Sequence, residues 1–253
     1  MVSSPALLSR NSPTAGAGEE LLVTWQDPET RRYQAVGLLS RASDATYRFS
    51  YLDEASKIPR FRPFLGFSDL ERDYTSPHLF PLFAERVLDD ARPDRVTLYE
   101  ALDLVSTAGP MEFLARSGGR RAGDCIQLLP MPAVNEGQTS CVFLVHGVRY
   151  IPGATDAVDE LEPGQELVLE PEADNPVDPD AVLVTNDGTR LGWVPNPLLG
   201  YVRAAMSSGD ARLTVVRANP RELGHHMRLL VRVEGSLPDG FVAPWQADLA
   251  HHV

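Results

Sequence analysis

The stretch that decides the fold runs from Gly147 to Asn196: GVRYIPGATDAVDELEPGQELVLEPEADNPVDPDAVLVTNDGTRLGWVPN. Short apolar runs alternate in it with turns, and Asn186-Asp187-Gly188 is a strong hairpin turn because Asn and Gly adopt positive φ at little cost. One helix is predicted over Pro197–Ser207, with Asn196 as its N-cap. With the flanking sequence, the pattern predicts six short strands and favours a small closed or partly open barrel of OB type: Cys141–Val148, Glu166–Glu170, Ala181–Asn186, Leu191–Pro195, Leu213–Ala218 and Met227–Glu234.

Aromatic, basic and polar side chains lie beside the ends of these predicted strands. Arg149 and Tyr150 follow the first strand, and Trp193 lies near the end of the fourth. Asn175 and Asp178 belong to an Asn-Pro-x-Asp turn after the second strand. On these residues the segment 141–235 resembles a HIRAN domain, a small β-barrel module whose better-known members hold the free end of single-stranded DNA. The resemblance implies a non-enzymatic nucleic-acid-binding protein that recognises single-stranded DNA or DNA 3′ ends.

The resemblance also implies a role for each of these side chains. Tyr150 is a stacking platform for a terminal base, and Arg149 supplies a phosphate contact. Asp178, with Asn175 in the same turn, matches the acid that accepts a hydrogen bond from the 3′ hydroxyl group. Trp193 offers a second ring for stacking. Because every base has a π face, each such stack is worth about 1–3 kcal/mol whatever the base sequence.

The segment departs from the family pattern at three positions. Val177 stands where the DNA-binding members carry a second aromatic residue, and Trp193 stands where they carry a histidine. Near Asn196 those members carry a basic residue. We expect Arg190 and Arg203 to provide the outer phosphate contacts.

Each site residue also has a structural interpretation. The side chain of Asn175 can satisfy backbone N–H groups of its own turn, with or without a ligand role. Tyr150 can be a half-buried barrel residue, and Trp193 can pack in the core or at its rim. If these are the only roles, the chain is a protein-interaction or regulatory module that does not bind DNA.

The charge of the chain limits the kind of nucleic-acid contact it can make. The net charge is -12, whereas phosphate contacts require Lys or Arg. Residues 150–189 contain eleven acidic residues and no Lys or Arg, and residues 190–232 contain seven arginines and two acidic residues. This distribution favours a short contact with the end of a strand over a surface that follows a long duplex. The acidity of residues 150–189 also favours the protein-interaction alternative.

The first half of the chain is predicted to be an α+β domain. It resembles the N-terminal subdomain of HipA-type toxin kinases in three short segments: Val36–Leu39, Tyr47–Tyr51 and Leu79–Phe83. No Gly-rich loop followed by a lysine is present, so this resemblance implies a docking role without the kinase chemistry. The elements expected here are strands at Leu21–Trp25, Tyr33–Leu39, Tyr47–Leu52 and Cys125–Leu129, and helices at Pro77–Val87, Val96–Ser106 and Met111–Ala115.

These patterns predict a mainly β protein with an α+β N-terminal part and a C-terminal OB-like β-barrel of HIRAN type that contains one or two helices. The expected domains are a disordered lead-in (1–19), the α+β domain (20–130), a Pro- and Gly-rich linker (131–140), the barrel domain (141–245) and a tail (246–253).

No catalytic residue, metal site or cofactor is predicted. Cys125 and Cys141 lack His or Cys partners at zinc spacing, and no nucleophile motif occurs. No apolar run approaches the ~18 residues of a membrane helix. We therefore expect no membrane contact and a cytoplasmic location, and the excess of arginine over lysine indicates a bacterial source. The expected partners are DNA and a protein such as a helicase, nuclease or kinase.

Overall fold

The structure is a computed structural model that describes residues 19–121 and 123–243 of the 253-residue chain. The predicted tail, 246–253, and all of the predicted lead-in except Glu19 lie outside the described residues. The described chain forms two antiparallel sheets with a few short helices. The expected mainly β class, with helices concentrated beside the first sheet, is therefore confirmed.

The N-terminal part consists of β1 (Glu19–Gln26), β2 (Tyr33–Arg41), β3 (Tyr47–Tyr51), β4 (Tyr74–Ser76), α1 (Pro81–Ala84), α2 (Arg95–Ala101), α3 (Pro110–Ser117) and β5 (Ile126–Pro130). Its strands are ordered β4-β3-β2-β1-β5. Phe49 is the centre of its core, since its ring packs against those of Tyr51, Phe67 and Phe83. The helix predicted at Pro77–Val87 is reduced to α1, because a proline lacks the N–H donor and its ring blocks the preceding turn.

The C-terminal part consists of β6 (Ala133–Asn135), β7 (Gln138–Leu144), α4 (Ala154–Asp159), β8 (Glu166–Pro171), β9 (Val182–Asn186), β10 (Thr189–Trp193), α5 (Leu199–Ser207), β11 (Arg212–Ala218) and β12 (Leu229–Ser236). Its strands are ordered β10-β9-β8-β11-β12-β7-β6. The sheet curls, so that His146 beyond β7 and Trp193 of β10 exchange backbone hydrogen bonds of 2.9 and 2.8 Å. Within the described residues, this isolated bridge is the only backbone pairing between the β7 side and the β10 side of the curled sheet; the two sides do not form a longer ladder of hydrogen bonds.

All six strands predicted for the second half occur, while two elements were not predicted. The first is β6, which has three exposed residues and no apolar pattern. The second is α4, which lies in the acidic stretch. The predicted helix occurs as a 3₁₀ turn, Asn196–Leu198, followed by α5, and no side chain caps α5. The prediction that Asn196 is the N-cap was therefore wrong.

The two sheets share buried side chains. Leu22, Leu52 and Leu129 lie in one core with Phe143 and Val145. The predicted linker 131–140 contains β6 and the first residues of β7, and the division into domains stays a prediction. This packing holds the turn between β1 and β2 against the C-terminal sheet. No helix in residues 19–121 and 123–243 has the length and hydropathy needed to cross a membrane.

Candidate nucleic-acid interface

Gly147 turns the chain outward after β7. It has a φ of +77°, a left-handed conformation that favours glycine. A Cβ atom at this position would lie 2.5 Å from Cε3 of Trp193, so no larger residue fits against that ring without a shift. β7 ends at Leu144, before its predicted end, and Val148–Tyr150 form a 3₁₀ turn directly after Gly147.

This turn exposes Tyr150, whose relative accessibility is 66%. The guanidinium carbon of Arg149 lies 4.5 Å from the centre of the Tyr150 ring, and Nη2 of Arg149 donates a hydrogen bond to its hydroxyl. Arg149 is also exposed, and it pairs with no carboxylate in the part of the chain that the structure describes. A cation beside an exposed ring can offer a phosphate contact next to a stacking face.

Glu172 connects three of the predicted site residues. Its carboxylate accepts hydrogen bonds from Nε1 of Trp193 at 2.7 Å and from Nδ2 of Asn175 at 2.6 Å. It also forms an ion pair with Arg190, whose guanidinium lies 6.0 Å from the centre of the Trp193 ring. Trp193 is half-buried at the rim of the sheet. Sequence reasoning missed Glu172 because it is one of eleven acidic residues in the stretch 150–189.

The turn between β8 and β9 is ordered by its own polar side chains. Oδ1 of Asn175 accepts the backbone N–H groups of Val177 and Asp178, at 2.9 and 3.1 Å. Oδ1 of Asp178 accepts the N–H group of Asp180 at 3.1 Å. These bonds give Asn175 the structural role expected of it, and they leave Val177 60% exposed.

The carboxylate of Asp178 is buried where the two parts of the chain meet. Only 5% of the side chain is exposed, and Oδ2 accepts hydrogen bonds from Nη2 of Arg32 and Nδ2 of Asn196, each at 2.7 Å. The Asn196 amide bonds here and so does not cap α5. A ligand hydroxyl would reach this oxygen only by replacing one of these donors. Arg32, missed from the sequence, brings a positive charge from the N-terminal part to the place where the family pattern has a basic residue.

The two predicted outer contacts, Arg190 and Arg203, are exposed but already paired. Arg190 pairs with Glu172, as described above. Nη1 of Arg203 lies 3.7 Å from Oδ1 of Asp180 and donates to its backbone carbonyl at 3.3 Å. The Arg203–Asp180 pair is exposed on both sides and contributes about 0–1 kcal/mol, so a phosphate group can compete for Arg203. Glu172 is 21% exposed, so its pair with Arg190 is less open to such competition.

His146 lies between the two parts, next to the Trp193 bridge. Its Nε2 is 2.9 Å from Nε2 of Gln127, and its ring centre is 5.9 Å from that of Tyr33. Burial lowers the pKa of His146 to about 3, and the charge of Arg120 contributes to the shift. The ring is therefore neutral at pH 7, and it supplies packing and hydrogen bonding at the junction.

The structure brings Arg149 together with Tyr150, and Glu172 together with the predicted Trp193, Asn175 and Arg190. The two groups supply rings, cations and hydrogen-bonding groups, which are the groups that bind a single strand. Among residues 19–121 and 123–243, no three His, Cys, Asp or Glu side chains are grouped so that they could hold a metal ion.

A protein-family model matches the C-terminal part of the chain: the HIRAN domain model matches residues 138–238. Among solved structures, the HIRAN domain of human HLTF has 18% identity and a TM-score of 0.31, with 42% of this chain and 84% of that one covered. A protein from Lactobacillus plantarum has 18% identity and a TM-score of 0.30, with 40% of this chain and 100% of that one covered. Among curated proteins, none matches the sequence.

These comparisons leave the resemblance of the N-terminal part to HipA-type kinases a prediction. For the C-terminal part, the family match confirms the resemblance predicted for residues 141–235. Within this chain, residues 138–238, called the HIRAN segment below, match the HIRAN domain family.

Proposed function

We propose that the HIRAN segment binds single-stranded DNA, with one base stacked on Tyr150 and the adjoining phosphate held by Arg149. The observation that carries the proposal is the exposure of Tyr150, whose relative accessibility is 66%. The guanidinium of Arg149 lies 4.5 Å from the centre of its ring, and no carboxylate in the described residues pairs with this arginine. A tyrosine side chain has two χ angles, so it loses little conformational freedom when a base covers it. Stacking of one base contributes about 1–3 kcal/mol.

The charge of the chain sets the length of the contact. With a net charge of -12, a long phosphate track is repelled, and binding depends on a local group of arginines. Arg190 and Arg203 can join this group once phosphate replaces Glu172 or Asp180 as their partner. We therefore expect weak, strongly salt-dependent affinity, and weaker binding to a duplex, whose stacked bases cannot reach Tyr150.

The family resemblance assigns recognition of a 3′ hydroxyl to Asp178, and the structure supports a different task. Its carboxylate already accepts three hydrogen bonds, and 5% of its side chain is exposed. We propose that Asp178 orders the turn and that strands ending in a 3′ hydroxyl or a 3′ phosphate bind with similar affinity. A tenfold or greater preference for the 3′ hydroxyl would instead support end recognition by Asp178.

The chain is proposed to act without catalysis and to bring a protein partner to DNA, in repair or defence. A helicase, a nuclease or a kinase fits this role, and the N-terminal part would be the docking domain. The predictions of a bacterial, cytoplasmic protein belong to the same proposal.

Titration of labelled oligonucleotides, single- and double-stranded, at low and moderate salt tests the proposal. The full chain is compared with Tyr150→Ala and Tyr150→Phe. We expect salt-sensitive single-strand binding that is weakened about 5- to 150-fold in Tyr150→Ala, from about 1–3 kcal/mol of stacking. Tyr150→Phe keeps the ring and should bind like the wild type. Absence of binding at low salt, where electrostatic attraction is strongest, would reject DNA binding and leave the protein-interaction alternative.

A further inference from the structure

The N-terminal part places a second group of arginines beside the HIRAN segment. Arg31 and Arg32 end the turn between β1 and β2, and Arg32 is fixed to Asp178 across the junction by a 2.7 Å ion pair. Arg120 follows α3 and lies 5.7 Å from the ring centre of Tyr33, the first residue of β2. Burial raises the pKa of Tyr33 and the charges of Arg120 and Arg31 oppose that shift, so both arginines lie near this side chain.

Three links connect this group to the proposed strand site. The Tyr33 ring is 5.9 Å from that of His146, whose backbone pairs with Trp193. The 3₁₀ turn that carries Tyr150 lies against the turn His225–Met227. Burial lowers the pKa of His226 in that turn, and the charge of Arg120 adds to the shift, which places Arg120 close to it.

Arg31 and Arg120 resemble Arg149 in that no carboxylate of the described residues neutralises them. Both are exposed. Several other exposed arginines are paired with carboxylates, as Arg60 is with Asp27 and Arg121 is with Glu85. In a protein of net charge -12, unneutralised arginines beside an exposed tyrosine form a local site for phosphate.

We propose that Arg31 and Arg120 form the second half of the single-strand site, so that a strand stacked on Tyr150 continues across the junction onto the N-terminal part. This inference rests on the proposed function. The Arg32–Asp178 pair sets the position of the two halves relative to each other. The ligand is the sugar-phosphate backbone of a single strand, at least about three nucleotides away from the stacked base. The N-terminal part is then a component of the DNA site as well as a docking domain.

The test measures the salt dependence of oligothymidylate binding by the full chain. The variant is Arg31→Asn with Arg120→Ala; asparagine is chosen because Arg31 has a φ of +59°, which asparagine tolerates. The matched control is Arg72→Ala, an exposed arginine beside β4, at the far edge of the sheet. Far-ultraviolet circular dichroism checks that each variant is folded.

For a strand of about ten nucleotides, we expect the slope of log affinity against log salt to lose about 1.4, from about 0.7 for each of two phosphates. For a strand shorter than about four nucleotides, the variant should bind like the wild type. A slope equal to that of Arg72→Ala, with binding still lost in Tyr150→Ala, would overturn this inference and leave the proposed function standing. A loss of slope without an effect of Tyr150→Ala would show phosphate binding by Arg31 and Arg120 but would overturn stacking on Tyr150 and, with it, one continuous site. Absence of wild-type binding would overturn both proposals.

Discussion

The carboxylate of Asp178 joins the two parts of the chain, and its replacement by asparagine tests that joint. Two donors, Arg32 and Asn196, face Oδ2, and the N–H group of Asp180 faces Oδ1. An asparagine offers one acceptor oxygen and one NH2 donor. Whichever way the amide is turned, its NH2 group faces at least one other N–H donor, so the hydrogen bonds of the joint cannot all be kept.

The size of the effect follows from burial. With 5% of the Asp178 side chain exposed, a donor left without a partner costs about 1–3 kcal/mol. Arg32 is 44% exposed, so water hydrates its guanidinium when the partner is lost, and that contact contributes about 0.5–1 kcal/mol. We expect Asp178→Asn to lower the free energy of unfolding by about 2 kcal/mol, and Arg32→Ala by about 1 kcal/mol.

Urea unfolding of the full chain, followed by circular dichroism, measures both losses and that of the double variant. Because the two side chains are direct partners, the double variant should lose about 1 kcal/mol less than the sum of the single losses. Asp180→Asn, whose side chain is 70% exposed, is the control and should lose under about 0.5 kcal/mol. Losses that add to within about 0.3 kcal/mol would refute a direct contact between Arg32 and Asp178.

Three other substitutions have expected outcomes around the same junction. Gly147→Ala places a Cβ 2.5 Å from the Trp193 ring at a φ of +77°, so Tm should fall by several degrees, and an unchanged Tm would contradict this packing. The pKa of His146 is lowered by burial from 6.5 to about 3, so below pH 6.5 the unfolded chain takes up a proton that the folded chain does not. Stability should then fall by about 1 kcal/mol per pH unit between pH 6 and 4, and urea titrations should show a smaller fall for His146→Asn. Identical pH profiles of the two proteins would exclude a ring that stays neutral in the folded chain. Val177→Tyr adds a second ring at a 60% exposed position and should tighten single-strand binding about 5- to 150-fold in anisotropy titrations. The control is Val168→Tyr at a 52% exposed valine of β8, and equal gains in both variants would show nonspecific stacking.

Much of the fold could be predicted from local sequence, because strand burial and turn chemistry are short-range properties. The Asn186-Asp187-Gly188 turn joins β9 and β10 as predicted, with φ values of +47° at Asp187 and +77° at Gly188. The elements that were missed have little local signal. In α4, for example, Ala154 and Val158 are the only buried residues.

The arrangement of the candidate site was less predictable, because it depends on contacts between distant residues. Exposure of Tyr150 follows from Gly147 packing against Trp193, and no pattern near Tyr150 encodes that contact. Likewise, the partner of Asp178 comes from another sheet, and nothing in an Asn-Pro-x-Asp turn selects Arg32. Glu172 could not be singled out for the same reason. It differs from the other carboxylates of the acidic stretch only in the contacts that tertiary packing gives it, with the indole of Trp193 and the amide of Asn175.

Fluorine resonances of the full chain labelled with 3-fluorotyrosine test the stacking of a base on Tyr150 most directly. The chain has seven tyrosines, and the resonance missing from Tyr150→Phe assigns the relevant one. On titration with a single-stranded oligonucleotide at low salt, the Tyr150 resonance should shift and saturate, while those of the buried Tyr51 and Tyr201 stay in place. An oligonucleotide that binds, as shown by its anisotropy, without moving the Tyr150 resonance would contradict stacking on this ring.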